Sequence, residues 1–417
     1  MASATSDTRF NDPGNIASAH RSIELFAGGG GLALGLHEAN FEHLLVNEFN
    51  ARACQTLRAN FAEDVELPSL NGTKPGKWPL AEADVATLSL GKFKGKLDLL
   101  AGGAPCQPFS LGGVHRGDED SRNLFPQVFR VVRETRPRAV LLENVRGLTR
   151  RAFMPYFEYI LCQLRAPFIR PKKNESWSEH KLRIERHLQS QRSGDSAERY
   201  DVHTKLIHAA DYGLPQARQR IFIVGFRSDL QVNWDWPVET HSEDALLLSK
   251  HRGVYWKEHG LAPRPDHEDP KLTRSRLARI TSDGDLDMAR WRTVRDAISD
   301  LPEPSVGQSL ANIDGHIGIA GARLYKGHTG NPIDRPAKTV KAGVHGVPGG
   351  EHIVVRTDGT FRYMTVRECA RLQGFPDWYR FEGPRSEAMR QIGNAVPVSI
   401  ARVMGRAIAA HLDSNSG

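Results

Sequence analysis

The chain has 417 residues, 39% of them hydrophobic and 25% charged, with a formal net charge of +7. That length exceeds one ordinary core and points to a large domain with a smaller companion. No apolar run approaches the roughly 18 residues of a membrane span, and the basic balance favours a polyanionic partner, because each neutralised phosphate releases a counterion. Residues 1–20 are polar and rich in small side chains, a flexible tail without the apolar stretch of an export signal, so a cytoplasmic protein is expected. The first half then alternates strand and helix. Ser22–Phe26 is a short apolar run, followed by Ala27-Gly-Gly-Gly-Gly31 and a helical stretch over Leu32–Ala39. Leu44–Val46 and Leu97–Ala101 read as further strands; Leu124, Val128, Val131 and Val132 recur at helical spacing until Pro137 stops the helix. Ala139–Leu142 and Arg220–Gly225 are later strands. This alternation predicts an α/β fold, a doubly wound and mostly parallel sheet with helices on both faces.

The rhythm breaks twice. Residues 170–200 are charged and polar and read as a surface insertion, helical in part. From about Ser228 to Phe361 histidine, proline, glycine and arginine become common, which suggests a separate, smaller, loop-rich module. Order returns at Thr365-Val-Arg-Glu368, a capping box opening a helix that Gly374 and Pro376 end. A final helix starts at Pro397, with Ile400, Val403, Met404, Ala407, Ile408 and Leu412 on its apolar face.

Several segments carry chemistry. A glycine run between strand and helix lets backbone approach a ligand at a helix N-terminus, and it serves NAD, FAD or S-adenosylmethionine equally well. Glu48, just after the second strand, is placed to hold ribose hydroxyls; Asp84 is a further acid for an adenine, with Asp64 as its competitor. Gly103-Ala-Pro-Cys-Gln-Pro-Phe-Ser110 follows a strand, where open α/β sheets place their chemistry. Its prolines stiffen the turn that carries Cys106. A free thiol has a pKa of about 8.5, so a nucleophile there needs surroundings that favour thiolate. Glu143 ends the strand Ala139–Leu142 and points to the same edge. Arg218 and Arg220, at i and i+2 of an extended segment, share a face. The four cysteines (Cys54, Cys106, Cys162, Cys369) lie far apart without CxxC or Cys/His spacing, so no metal site is expected and a reducing compartment suits them.

Taken in order, Phe26-Ala-Gly-Gly-Gly, Glu48, Pro105-Cys-Gln-Pro-Phe-Ser110, Glu143-Asn-Val145, Gln216-x-Arg-x-Arg220, Arg367-Glu-Cys-Ala-Arg-Leu-Gln-Gly-Phe-Pro376 and Gly393-Asn-Ala-Val-Pro397 resemble the DNA (cytosine-5)-methyltransferase family of bacterial and phage restriction-modification type, over residues 20–228 and 360–412. Each motif alone is weak to moderate; their ordered conjunction is specific. The resemblance implies a Rossmann-like S-adenosylmethionine-binding catalytic domain made of 21–228 and 361–412, and a target recognition domain at 229–360. It implies Cys106 as the nucleophile that adds to cytosine C6, Glu143 as the carboxylic acid at cytosine N3 and its amine, Arg220 at O2, and Arg218 ordering the site electrostatically. For S-adenosylmethionine it implies Phe26 against the adenine, Gly28 and Gly30 beside the methionine, Glu48 at the ribose, Asp84 at the adenine amine, and Asn394 and Val396 returning to the pocket. Ser110 and Arg122 match DNA-backbone contacts of a loop that closes over a flipped base. The expected partner is double-stranded DNA, acted on by a monomer, with a companion restriction endonuclease elsewhere in the cell. A tRNA methyltransferase, a non-catalytic DNA-binding relative and a nicotinamide or flavin oxidoreductase are the competing readings. No Cys-Phe-Thr segment of the tRNA branch is present, Cys106, Glu143 and the arginine pair are intact, and an oxidoreductase leaves the Pro-Cys-Gln-Pro run unexplained.

Overall fold

The computed structural model describes residues 20–67, 69–71, 74, 76–105, 123–190, 196–264, 275–280, 287–310, 312–324, 326, 329–342 and 352–414. Its centre is an eight-stranded sheet built from β1 (His20–Leu25), β2 (Phe41–Glu48), β3 (Ala62–Asp64), β4 (Trp78–Glu82), β5 (Leu99–Gly102), β6 (Ala139–Val145), β7 (Tyr200–His208) and, after a two-residue β8 (Gln216–Ala217), β9 (Gln219–Arg227). The strand order is β3-β4-β2-β1-β5-β6-β9-β7. Strands β1 to β6 pair in parallel, and β9 runs antiparallel to both β6 and β7. The order reverses between β1 and β5, so a crevice opens beyond their C-terminal ends, where sheets of this kind bind ligands.

Period-2 alternation sorts the strand side chains between two faces. Ile23, Leu25, Leu45, Leu100, Val140 and Leu142 face helices α3 (Phe125–Thr135), α4 (Met154–Arg165) and α5 (Trp177–Ser190). Leu99, Ala101, Ala139 and Leu141 face α1 (Gly31–Glu38) and the last helix, Val398–Ser414. Both faces are therefore covered, which is why β5 and β6 read as unbroken apolar runs. The last helix lies directly on α1. A Cβ on Gly35 would come within 2.4 Å of Ala401 Cβ and 2.5 Å of the Val398 carbonyl, so glycine is what allows the two backbones to meet.

Local signals hold where backbone chemistry dictates them. Arg136, with φ of 48°, ends α3 just before Pro137. Thr365 and Glu368 form the reciprocal capping box of the helix Val366–Leu372. Two readings need amendment. Within 170–200, the helix α5 is no solvated excursion: His180 and Ile184 are fully buried. The Tyr159 hydroxyl lies 3.0 Å from His180 Nδ1, and His180 Nε2 lies 2.9 Å from the Ile169 carbonyl, so a polar residue type is docked against α4. The region 229–360 is built from short elements, among them the helices Glu243–His251, Val254–Glu258 and Val294–Ile298. Part of it enters the same core as the sheet, since Val294, Ile298, Ala337, Val340 and Val354 cluster with Leu34, Val46 and Leu80. No helix among the described residues is long and apolar enough to cross a membrane.

Candidate functional site

Four strand ends meet at the crevice. β1 ends at Leu25, and Phe26 follows with φ of 59°, a left-handed conformation that an aromatic residue adopts at a cost of about 1–2 kcal/mol. The glycine turn then enters α1, with Gly30 as its N-cap at φ of 80°. The two glycines expected at a ligand differ. A Cβ on Gly28 would meet nothing within 4 Å, so its missing side chain opens onto free space. A Cβ on Gly30 would strike the Tyr379 hydroxyl at 2.5 Å and Leu57 at 2.8 Å. Gly30 is therefore packed against the core on the side where a Cβ would stand, and only its backbone is left to face a ligand.

Glu48, at the end of β2, braces the same turn. Its Oε2 accepts from Gly28 N at 2.7 Å, and its Oε1 accepts from Phe49 N at 2.9 Å and Asn50 N at 2.7 Å. A carboxylate offers about four acceptor sites, so Oε2 keeps one free. Asp84 is exposed just beyond the end of β4 and caps the following turn by accepting from Ala86 N at 2.9 Å. Asp64, its competitor, lies on the edge strand β3 and is paired with Arg58 at 2.7 Å. Phe49, 74% exposed beside Glu48, is an apolar surface at the crevice that sequence reasoning passed over, because a lone aromatic after an acid carries no pattern. Tyr379 was passed over too: fully buried, it donates to the Gly29 carbonyl at 2.8 Å and so fixes the turn from below.

The late Gly-Asn-Ala-Val-Pro segment reaches this place. The Val396 carbonyl lies 2.3 Å from where a Cβ on Gly31 would stand, so the segment rests on the first residue of α1. Asn394 is exposed and Val396 buried.

The second half of the site lies at the ends of β5 and β6. Cys106, Ser110 and Arg122 fall outside the described residues; Pro105 is the last residue described before them. Glu143 Oε2 lies 3.6 Å from the Cβ position of Gly103, three residues before Cys106. Asn144 ties the two strand ends together. Its Nδ2 donates to the Ala104 carbonyl at 3.0 Å, and its Oδ1 accepts from Val145 N at 2.8 Å. Arg220, diagonal to Glu143 across the β6–β9 ladder, brings Nε to 2.9 Å from Glu143 Oε1. The two form an ion pair by distance, though the N–H is not aligned on that oxygen. Burial raises the Glu143 pKa, and the Arg220 and Arg218 charges oppose that rise. Burial also lowers the Arg220 pKa, with Glu143 acting against it.

Arg218 lies two residues before Arg220 and is fully buried. Its Nη1 donates to the Val340 carbonyl at 3.2 Å, and its Nη2 donates to Gly393 and Ala395 carbonyls at 2.9 and 3.0 Å. Its Nε has no hydrogen-bond partner among the described residues, and its charge opposes the rise of the Glu143 pKa. Among the described residues no group of three or more His, Cys, Asp or Glu side chains is placed to hold a metal ion.

Comparison with known proteins gives this geometry a setting. The profile of the family described as C-5 cytosine-specific DNA methylase matches residues 20–166 and 187–410. The chain is 31% identical over 391 residues to the Type II methyltransferase M.NgoMIV of Neisseria gonorrhoeae, covering 93% of this chain and 96% of that one. It is 27% identical over 399 residues to M.HhaI of Haemophilus parahaemolyticus, covering 94% and 95%. In fold it is similar to a putative DNA modification methyltransferase encoded within an Escherichia coli prophage, at 21% identity and a TM-score of 0.55, covering 95% of this chain and all of that one. The Schizosaccharomyces pombe Dnmt2 methyltransferase is a second such structure, at 16% identity and a TM-score of 0.53, covering 96% and 100%.

Proposed function

Because the chain belongs to the C-5 cytosine-specific DNA methylase family, we propose that it divides the reaction of a DNA (cytosine-5)-methyltransferase between Cys106, Glu143 and Arg220, with Arg218 ordering the site electrostatically. S-adenosylmethionine supplies the methyl group as an electrophile. The residues at the glycine turn fit that molecule: Gly28 opens onto free space, Glu48 keeps an acceptor site for a ribose hydroxyl, and Phe26 and Phe49 offer apolar surface for the adenine. Asp84, at the edge of the neighbouring strand, takes the adenine amine in preference to the ion-paired Asp64. Asn394 and Val396 close the pocket from the late segment.

Cytosine C5 is a poor nucleophile. Addition of the Cys106 thiolate to C6 forms an S–C bond and makes C5 enamine-like. Glu143 stands where it shares its proton with N3 as electrons move onto the ring, and burial helps it to keep that proton until then. Arg220 donates to O2 and stabilises the developing charge. C5 would then take the methyl group, with S-adenosylhomocysteine as the product left behind; a water molecule would take the C5 proton, the C6–S bond would break to restore the thiolate and the aromatic ring, and the N3 proton would return to Glu143. The target base must leave the stack first, at a cost of a few kcal/mol (about 2–4). Ser110 and Arg122 hold the DNA backbone while it does.

The observation that carries this reading is the convergence of Glu143, Arg220 and the Asn144-anchored Ala104 at one sheet edge, two residues before Cys106 in the chain. Residues 21–228 with 361–412 act as the catalytic domain and 229–360 as the target recognition domain, in a cytoplasmic monomer that modifies double-stranded DNA. A companion endonuclease is in keeping with the Type II naming of the relatives. The test is transfer of labelled methyl groups from S-adenosylmethionine to unmethylated genomic DNA and to bulk tRNA, with wild type and Cys106→Ala. Label recovered as 5-methylcytosine in DNA and absent with the variant is the expected result; label in tRNA alone would overturn the DNA assignment.

A further inference from the structure

Arg218 is among the largest fully buried side chains, with 1% of its surface exposed. It lies between β8 and β9, and its own backbone is fixed, since Ala209 N donates to the Arg218 carbonyl at 2.8 Å. Its guanidinium spans two distant segments. One is the strand Ala337–Lys338 and its continuation to Val340, which pairs with β8 and leads directly into residues 343–351. The other is the Gly393–Ala395 turn, whose next residue rests on the glycine turn of α1. These segments touch: a Cβ on Gly393 would stand 2.3 Å from Ala342 N. Two glutamines reinforce the junction. Gln216 accepts from Val340 N at 2.9 Å and donates to the Leu372 carbonyl at 2.9 Å; Gln373 donates to the Ile392 carbonyl at 2.6 Å. Two residues beyond Arg218, Arg220 is paired with Glu143.

A planar fork whose donors reach carbonyls on two segments transmits displacement of one to the other, in a buried network where each bond counts for more than in water. We propose that Arg218 is a positioning residue that couples the S-adenosylmethionine pocket to the Ala337–Val340 segment of the recognition module, so that cofactor and DNA binding strengthen each other through it. This rests on the methyltransferase reading. Contact between segments is a route for coupling and the coupling itself has to be measured; linkage requires that each ligand change the other's affinity by the same factor.

The experiment uses the full chain, S-adenosylhomocysteine, and a duplex carrying the sequence that bisulfite sequencing shows the enzyme to methylate. The dissociation constant for S-adenosylhomocysteine is measured with and without saturating duplex, and the ratio is the readout. Both constants come from one preparation, so loss of folded protein cancels, and a merely structural role leaves the ratio alone. Wild type is expected to give a ratio of at least about fivefold. Arg218→Lys keeps the charge but cannot span both segments, and Arg218→Met removes the donors; each is expected to bring the ratio to within about twofold of unity. If Arg218→Met does not fold, Arg218→Lys and Gln216→Met, which loses the bonds to Val340 and Leu372, carry the test. A wild-type ratio of one, or variants that keep the wild-type ratio, would overturn the proposal. Wild type that binds neither ligand would overturn the methyltransferase reading and the coupling with it.

Discussion

Asn144→Asp probes how Ala104, two residues before the proposed nucleophile Cys106, is held. The side chain keeps its shape, and one oxygen still accepts from Val145 N, where the wild-type separation is 2.8 Å. The other oxygen now faces the Ala104 carbonyl, which in wild type receives a hydrogen bond of 3.0 Å from Nδ2. Two acceptors oppose each other in a buried place, and leaving such a group unsatisfied costs about 1–3 kcal/mol. Ala104 lies two residues before Cys106, so the strain falls just ahead of the proposed nucleophile in the chain. If the strain is expressed in the addition step, the rate falls by about 5- to 160-fold. The assay is single-turnover methyl transfer at saturating S-adenosylmethionine and DNA, with S-adenosylhomocysteine affinity as a control that should stay near wild type. The variant also carries its own rescue: a protonated aspartic acid donates to Ala104 again, so the deficit relative to wild type should shrink as pH falls. A rate within twofold of wild type across that range would refute the assignment of Asn144 to positioning Ala104.

Glu24→Gln should stabilise the protein at neutral pH. Burial, and then the Glu48 charge, raise the Glu24 pKa well above the usual carboxylate range. The folded chain therefore holds a proton that the unfolded chain releases once pH exceeds about 4.3, and stability falls as pH rises from there toward the folded value. The gain from the substitution should grow across that window by at most about 1.4 kcal/mol per pH unit and vanish below it, as urea unfolding at several pH values would show. Gly35→Ala should destabilise by about 1–3 kcal/mol through its clash with Ala401 and Val398, despite the better helix propensity of alanine; Gly91→Ala, with no atom within 4 Å of its Cβ position, is the neutral control. Arg146, Arg150 and Arg151 are exposed just after Glu143. Replacing all three by alanine should flatten the plot of log affinity for DNA against log salt by up to about 2.7, roughly 0.9 for each phosphate no longer neutralised; an unchanged slope would place the duplex elsewhere.

Strand-end chemistry was legible wherever an apolar run stops abruptly at an acid or a glycine. Glu143 after Ala139–Leu142 and Glu48 after β2 are both of this kind, since a strand buried on both faces leaves an uninterrupted signal. The shared face of Arg218 and Arg220 was also legible, from period 2 alone. What each arginine touches was not, because the carbonyls of Val340, Gly393 and Ala395 arrive from positions more than a hundred residues away. The same limit hid the difference between Gly28 and Gly30: members of one glycine run, they differ in what packs against them. Helix α5 was read as solvated because its buried face is made by His180, a residue type that counts as polar until Tyr159 and Ile169 partner it. Strand β7 went unseen as an edge strand whose side chains alternate between exposed and half-buried without an apolar run.

The seat of the last helix on α1 also sets an order of events during synthesis. Ribosomes release the chain from its N-terminus, yet the apolar layer made by Leu32 and Leu36 of α1 with Leu99 and Leu141 of the sheet waits for Ile400, Met404 and Ile408 to cover it. Until those residues emerge, the glycine turn has neither its packing layer nor the late segment that rests on it. The pocket thus becomes complete only after the helix Val398–Ser414 has emerged, and a translation product cut short before Val398 should be an insoluble fragment cleared by proteolysis rather than a half-built enzyme.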